Sequence, residues 1–499
     1  MKRKIGPTLA ASAILVAGLI AVVYSGKVPL GVPGEWEWLR VKAPPPILGL
    51  LIAFVGVAAY GGYAALGYRA LGVPSRRGFR ETSWVAGLLA SAVTLQVLIP
   101  MGAADEYDLT KWAYVHYFHG STGYYHVAKE QAAADPWKFL ADYPAWIQGQ
   151  DSLHIGTHPP GLIAMHCFLI GAMERRRAAA DFLNAAMPPP VTVAFRQLEA
   201  IERKPLPRAD RAAIYLASLI TLLACAGTVA PLYLLARESL PPQLAWASAS
   251  LWPLAPALNL FQPGADAAYP LLSATALAAA AWASRIRGTP GLGTWASPGM
   301  AMASGAVMAF GMVFTLAFLP IGLIVALVVL ATRSISWPRR LGTIAWIGVG
   351  FAGVVAAGWL ATGADPFAVW AWNLRHHARF YLEYPRSYFA WLLVNPIELA
   401  VAAGLPIVVW GVIGAVADRR YIPRAAWCTL AVLTIVNLTG RNMGETARLW
   451  MLFLPPLFLA VGVGLTRLGG GSRALFATVL LVGIQTLGLQ ALIQVVYPV

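Results

Sequence analysis

The chain has 499 residues, of which 58% are hydrophobic and only 12% charged, with a mean hydropathy of +0.63. Soluble domains run at roughly 45–50% apolar and ~25% charged, so this composition excludes a water-soluble globular protein and indicates a multispanning membrane protein. The formal net charge of +15 would point to nucleic acid in a soluble chain, but here Lys and Arg fall in short loops between apolar runs, where they orient the chain and meet anionic headgroups.

Apolar runs at about 5–24, 46–67 and 84–102 open the chain. The first follows a basic Met-Lys-Arg-Lys but has no clear cleavage site, so it reads as a retained helix. Arg69, Arg76, Arg77 and Arg80 separate the second and third runs. By the positive-inside rule this loop and the N-terminus are cytoplasmic, which puts residues 103–155 outside. Run 156–173 is then expected to return to a cytoplasmic basic loop carrying Arg175, Arg176, Arg177, Arg203, Lys204 and Arg208.

Three further runs, at about 212–236, 243–260 and 268–284, precede Arg285 and Arg287. An odd number of crossings cannot join two cytoplasmic loops, so one run is expected to be broken or re-entrant. The candidates are Ala226-Gly227…Pro231 and the Pro-rich stretch from Trp252 to Pro263. Later runs leave two more outer segments, 362–387 and 440–448, for a total of 12–14 spanning helices. Cys167, Cys225 and Cys428 sit in apolar segments without metal-ligand spacing and read as small packing residues.

The residues able to do chemistry crowd at the outer boundary. Six of the eight histidines fall between Met101 and His166, a stretch that opens with Asp105, Glu106 and Asp108 and closes with His154 and the Thr157-His158-Pro159-Pro160-Gly161 motif. Arg375 and His376 lie in the second outer segment, Glu445 and Arg448 in the third, and Asp266 stands alone in the apolar middle. Carboxylates serve as general bases, while arginines pair bidentately with phosphate and stabilise a departing anion. The combination suits transfer of a group off a phosphate. His116, His119 and His126 resemble an interfacial aromatic helix more than a metal site; the sequence requires no divalent cation, and the cofactor is left unknown.

Asp105-Glu106, the Tyr124-Tyr125 and Asp135-Pro136 stretches, Thr157–Gly161, Pro263…Asp266 and Gly444-Glu445…Arg448-Leu449-Trp450 together resemble the membrane glycosyltransferases of the GT-C superfamily, in particular the branch of protein O-mannosyltransferases and aminoarabinose lipid A transferases. The resemblance implies an all-α polytopic fold, a GT-C-like bundle with an outer loop bearing interfacial helices. It covers 84–466 as the catalytic module, with 1–83 as two additional N-terminal helices and 467–499 as a C-terminal helix. It further implies an inverting glycosyltransferase with a polyprenyl-phosphate sugar donor, an acceptor hydroxyl of unknown identity, and a site on the outer side of the plasma membrane. Asp105 by position, or else Asp108, would be the base, with Glu106 beside them. His154, His158, Asp266, Arg375, His376, Glu445 and Arg448 would hold the donor. Relatives often carry His-Lys where this chain has Thr157-His158, so the phosphate contact would fall to His158, Arg448 or Arg375. A lipid-linked substrate transporter or flippase is the competing class, and such proteins keep their ionisable groups near the bilayer midplane.

Overall fold

The computed structural model describes residues 5–73, 78–285, 296–467 and 469–494. Arg76, Arg77, Arg287 and the N-terminal basic tetrapeptide lie outside the described residues, and so does the side chain of Asp105. The architecture is all-α, with two short two-stranded ribbons. Among the described residues six helices are long and apolar enough to cross a membrane: Ile5–Ser25, Ile47–Leu71, Arg80–Gly102, Arg208–Arg237, Trp337–Thr362 and Gly471–Leu492. Large apolar side chains on these helices, such as Ile47 and Leu360, face outward with most of their surface uncovered. Such a surface requires a hydrocarbon solvent.

The remaining crossings expected from the sequence are shorter or interrupted. Pro242–Ala249 and Pro256–Leu260 are separated by a 3-10 turn at Trp252–Leu254, so the broken run is the Pro-rich one, whereas Arg208–Arg237 passes through Gly227 as one span. Tyr388–Ala403 and Leu405–Asp418 meet at an angle of 105°. Gly404 sits at that corner with φ of +105°, a conformation that residues with a Cβ rarely adopt. Sequence periodicity does not reveal this bend, because both arms are apolar.

The path of run 156–173 differs from expectation. Its helix is Gly161–Arg175, 15 residues, or roughly 22 Å at ~1.5 Å per residue, too short for a ~30 Å hydrocarbon core. It does not lead to the far side of the bundle. Lys129 pairs with Asp210 at 3.0 Å and with Glu174 at 3.3 Å, and Tyr125 donates to Asp210 at 2.8 Å. Tyr114 bonds Gln197, and Ser218 donates to the Trp112 carbonyl at 2.6 Å. Residues 103–207 therefore form one layer at a single end of the bundle, with their own apolar core that includes Tyr143, Ile163, Val191, Phe195 and Leu198.

From this layer Arg208–Arg237 descends to the opposite end, where Arg237 and Tyr233 meet Glu81. The next run ascends, and Tyr269–Arg285 descends again to bond the Arg237 and Glu238 carbonyls. Three passes from the layer to the opposite end are what the geometry requires. The parity conflict thus came from assigning the 175–208 arginines to the wrong end, and no re-entrant segment is needed.

Two helices of this end are started by Asp-Pro pairs. Asp135 accepts from Lys138 N at the head of Pro136–Trp146, and Asp365 accepts from Phe367 N and Ala368 N at the head of Pro366–Glu383. The second helix carries much of the cavity described below. The layer can be tested with single cysteines in a chain whose native thiols are replaced. Cysteines at Trp137 and Phe182 should react with a membrane-impermeant maleimide from one face and a cysteine at Trp337 from the other. Labelling of the Phe182 site with that of Trp337 would overturn the topology.

Candidate active site

A cavity of about 620 Å³ opens where the layer meets the bundle. Its walls come from residues 152–158, the Asp266 turn, the Pro366–Glu383 helix with Arg386, and residues 441–449. Parts of all three polar outer stretches thus face one space. Of the expected site residues, His154, His158, Asp266, Glu445 and Arg448 line it.

The charged groups form a chain. Arg448 Nη2 donates to Glu445 at 2.7 Å, and its Nε lies 3.7 Å from an Asp266 oxygen. Glu445 is also 3.9 Å from Arg386 Nη2. The Arg386 side chain is only 5% exposed, and its Nε and Nη1, together with Arg448 Nε, are buried without a hydrogen-bond partner. Buried guanidinium N–H groups without acceptors are costly, so this arrangement favours an anion. Phe380 and Trp391 cover Arg386 with ring centroids 5.7 and 5.5 Å from its guanidinium carbon. Gly444, at φ of +90°, leaves room for that guanidinium, since a Cβ there would stand 2.5 Å from Arg386 Nη1.

Burial raises the Asp266 carboxyl above its ordinary value, with Arg448 and His158 opposing it. Burial likewise lowers His154 to about 4, helped by Arg448, and lowers His158. Arg448 itself is pushed further up: burial opposes its charge, but Glu445 and Asp266 outweigh it. At neutral pH the cavity therefore combines fixed arginine charges with neutral imidazoles and a carboxylate of raised basicity. His158 Nδ1 lies 2.9 Å from the His154 carbonyl, and Tyr143 donates to the His158 carbonyl, which fixes the loop that carries both histidines.

The other expected residues lie elsewhere. Glu106 is exposed, and Asp108 accepts from Thr110 N at 2.8 Å in a local turn; neither lines the cavity. Arg375 stacks on Trp372 at 4.6 Å on the exposed face of its helix, away from the cavity. His376 is buried and bonds the Ile147 carbonyl at 2.8 Å, while Asn373 on the same face donates to the Gly156 carbonyl. His376 is thus a staple between helix and loop, and its neighbour His377 is the one that reaches the cavity. Tyr381 donates to the Arg441 carbonyl and accepts from Met443 N, setting the third stretch. Arg386 follows Pro385 at a helix end, and nothing in its local spacing distinguishes it from the other arginines of that segment.

A second polar group lies inside the layer. His116 and His166 are buried with ring centroids 5.5 Å apart, and His116 Nε2 and His166 Nδ1 have no hydrogen-bond partner. His119 stacks on His126 at 4.0 Å. Among the described residues no group of three or more His, Cys, Asp or Glu is placed to hold a metal ion.

No protein-family model matches the chain, and no curated protein matches it. A crystal structure of the Archaeoglobus fulgidus oligosaccharyltransferase, in complex with zinc and sulfate, is similar over 80% of this chain with 14% identity and a TM-score of 0.40. The chain spans about half, 53%, of the length of that protein. At so low a score the likeness carries no conclusion about family or chemistry.

Burial lowers His116 to about 4 and His166 to about 3, against 6.5 when unfolded. The unfolded state then binds more protons between those values, so stability is full above about pH 6.5 and falls as pH drops towards 4, by up to about 1.4 kcal/mol per pH unit for each histidine. Hydrogen exchange in residues 161–175, corrected for its intrinsic pH dependence, should rise over that window in wild type and less in His116→Phe.

Proposed function

We propose that this chain is a membrane glycosyltransferase of GT-C type. It would transfer a sugar from a polyprenyl-phosphate donor to an acceptor hydroxyl, with inversion, at the outer face of the membrane. The observation that carries this reading is the pair of arginines with unpartnered N–H groups, facing a basic carboxylate in a cavity at the boundary of an apolar bundle. Phosphate supplies the acceptors that Arg386 and Arg448 lack. Leu319 and Pro320 on Phe318–Leu330 and Val436 on Arg424–Leu438 give the cavity an apolar wall, suited to the first isoprene units of a lipid tail. The sequence resemblance supports the same class.

In this mechanism the acceptor oxygen attacks the anomeric carbon as its proton passes to a carboxylate. The bond from that carbon to the phosphate oxygen breaks, and the electron pair leaves on the phosphate. Arg386 and Arg448 hold the growing charge, which strengthens their contacts in the transition state. Asp266 takes the proton, since it stands in the cavity with raised basicity, and Glu445 holds Arg448 in place. Asp105 is the other base to be tested. A flippase is less well supported, because these charges sit at one end of the bundle instead of at its middle.

The test is release of polyprenyl phosphate from radiolabelled polyprenyl-phosphate sugars by purified protein in lipid. Wild type should release it, Asp266→Asn should abolish release, and Arg448→Gln should slow it by about 100-fold. Loss in Asp105→Asn with retention in Asp266→Asn would move the base to Asp105. Lipid translocation by wild type without release would replace the enzyme with a flippase.

A further inference from the structure

The segment between the first two helices turns back at the cavity end as a small hairpin. Gly31–Val32 pairs with Trp36–Glu37, and Leu39–Arg40 pairs with Ile493–Gln494 of the last helix's extension. Arg40 Nε donates to the Val23 carbonyl at 2.8 Å, which ties the hairpin to the first helix. The family resemblance stops short of this region, yet the hairpin reaches the back of the cavity twice.

Its first contact is Glu35. The carboxylate accepts from Ser387 N at 2.9 and 3.0 Å, from the Ser387 hydroxyl, and from Trp391 Nε1 at 2.6 Å. Ser387 directly follows Arg386, and the Trp391 ring is one of the two that cover the Arg386 guanidinium. Burial pushes the Glu35 carboxyl up, but these hydrogen bonds and the charge of Arg386 more than offset it, so Glu35 is ionised well into mild acid.

The second contact is Trp38, whose indole donates to Glu398 at 3.2 Å. Glu398 is 7% exposed, within a largely apolar helix, and it accepts from Ala447 N and the Thr446 hydroxyl, both at 3.2 Å. Those are the two residues before Arg448. One hairpin therefore holds the residues that flank both cavity arginines.

We propose that Glu35 and Trp38 of this hairpin are positioning residues for the anion site, with Glu35 setting Arg386 and Trp38, through Glu398, setting Arg448. That the anion is the phosphate of a polyprenyl lipid rests on the function proposed above; the positioning role does not. Without Glu35, nothing else described anchors Ser387 at both its amide and its hydroxyl, and Arg386 keeps Glu445 but loses the carboxylate held against the residue that follows it.

Two readouts separate the positioning role from the identity of the ligand. The first is phenylglyoxal modification of Arg386 in the full-length protein in nanodiscs, followed by peptide mass spectrometry. Glu35→Ala should raise the rate about tenfold and Glu35→Gln less, because the amide keeps an acceptor, whereas Glu37→Gln in the same hairpin should leave it unchanged. The second is binding of polyprenyl phosphate to the same samples. Glu35→Ala should weaken it about tenfold, and should add nothing further in an Arg386→Gln background. An unchanged Arg386 modification rate in Glu35→Ala, or additive losses in the double variant, would overturn the positioning role. Altered modification with no lipid binding by wild type would leave that role standing and remove the polyprenyl-phosphate donor.

Discussion

A guanidinium moved out of water is tolerated only where carboxylates and acceptors surround it, and the cavity end of this chain is arranged to meet that demand twice. Glu445 bridges Arg386 and Arg448, Asp266 stands near the Nε of Arg448, and aromatic rings close over Arg386. The match is incomplete, since three N–H groups remain without acceptors. Those unmet donors are what an anion entering the cavity would satisfy.

The architecture follows from where such groups can be stationed. Apolar helices carry the chain between two polar ends, and among the described residues only one end acquires a packed layer of its own. That layer is stabilised by apolar contacts among Tyr143, Val191, Phe195 and Leu198 and by the Lys129, Asp210 and Tyr125 group. Its buried histidines His116 and His166 are neutral at physiological pH and contribute packing without charge. The layer gives the loop of His154 and His158 a rigid backing, and Asn373 and His376 pin the same loop from the other side.

Much of this was legible in the chain. Hydropathy locates the apolar runs, the lone Asp266 in the apolar middle reads as expensive, and the 440–448 stretch reads as polar at a helix start, where a short helix begins at Thr446. Charge counting failed at Arg175–Arg177, because the positive-inside rule presumes that the preceding apolar run crosses, and a 15-residue helix packed on its own layer does not. Arg375 and His376 fall outside the cavity for a different reason: helical phase decides which neighbour faces it, and an adjacent pair such as His376 and His377 gives no way to choose from sequence. Glu398 was visible as an ionisable residue inside an apolar helix, but its partners, an indole 360 positions away and a backbone amide, leave no trace in local sequence.

The ribbon between Leu39–Arg40 and Ile493–Gln494 joins segments from the two extremes of the described chain. A polypeptide emerging from the ribosome makes the first strand hundreds of residues before the second exists, and folding during synthesis proceeds from the N-terminal side. The hairpin must therefore wait, unpaired along that edge, until the last helix has been inserted. The ribbon can close only after residues 493–494 exist, which is later in synthesis than every residue that lines the cavity.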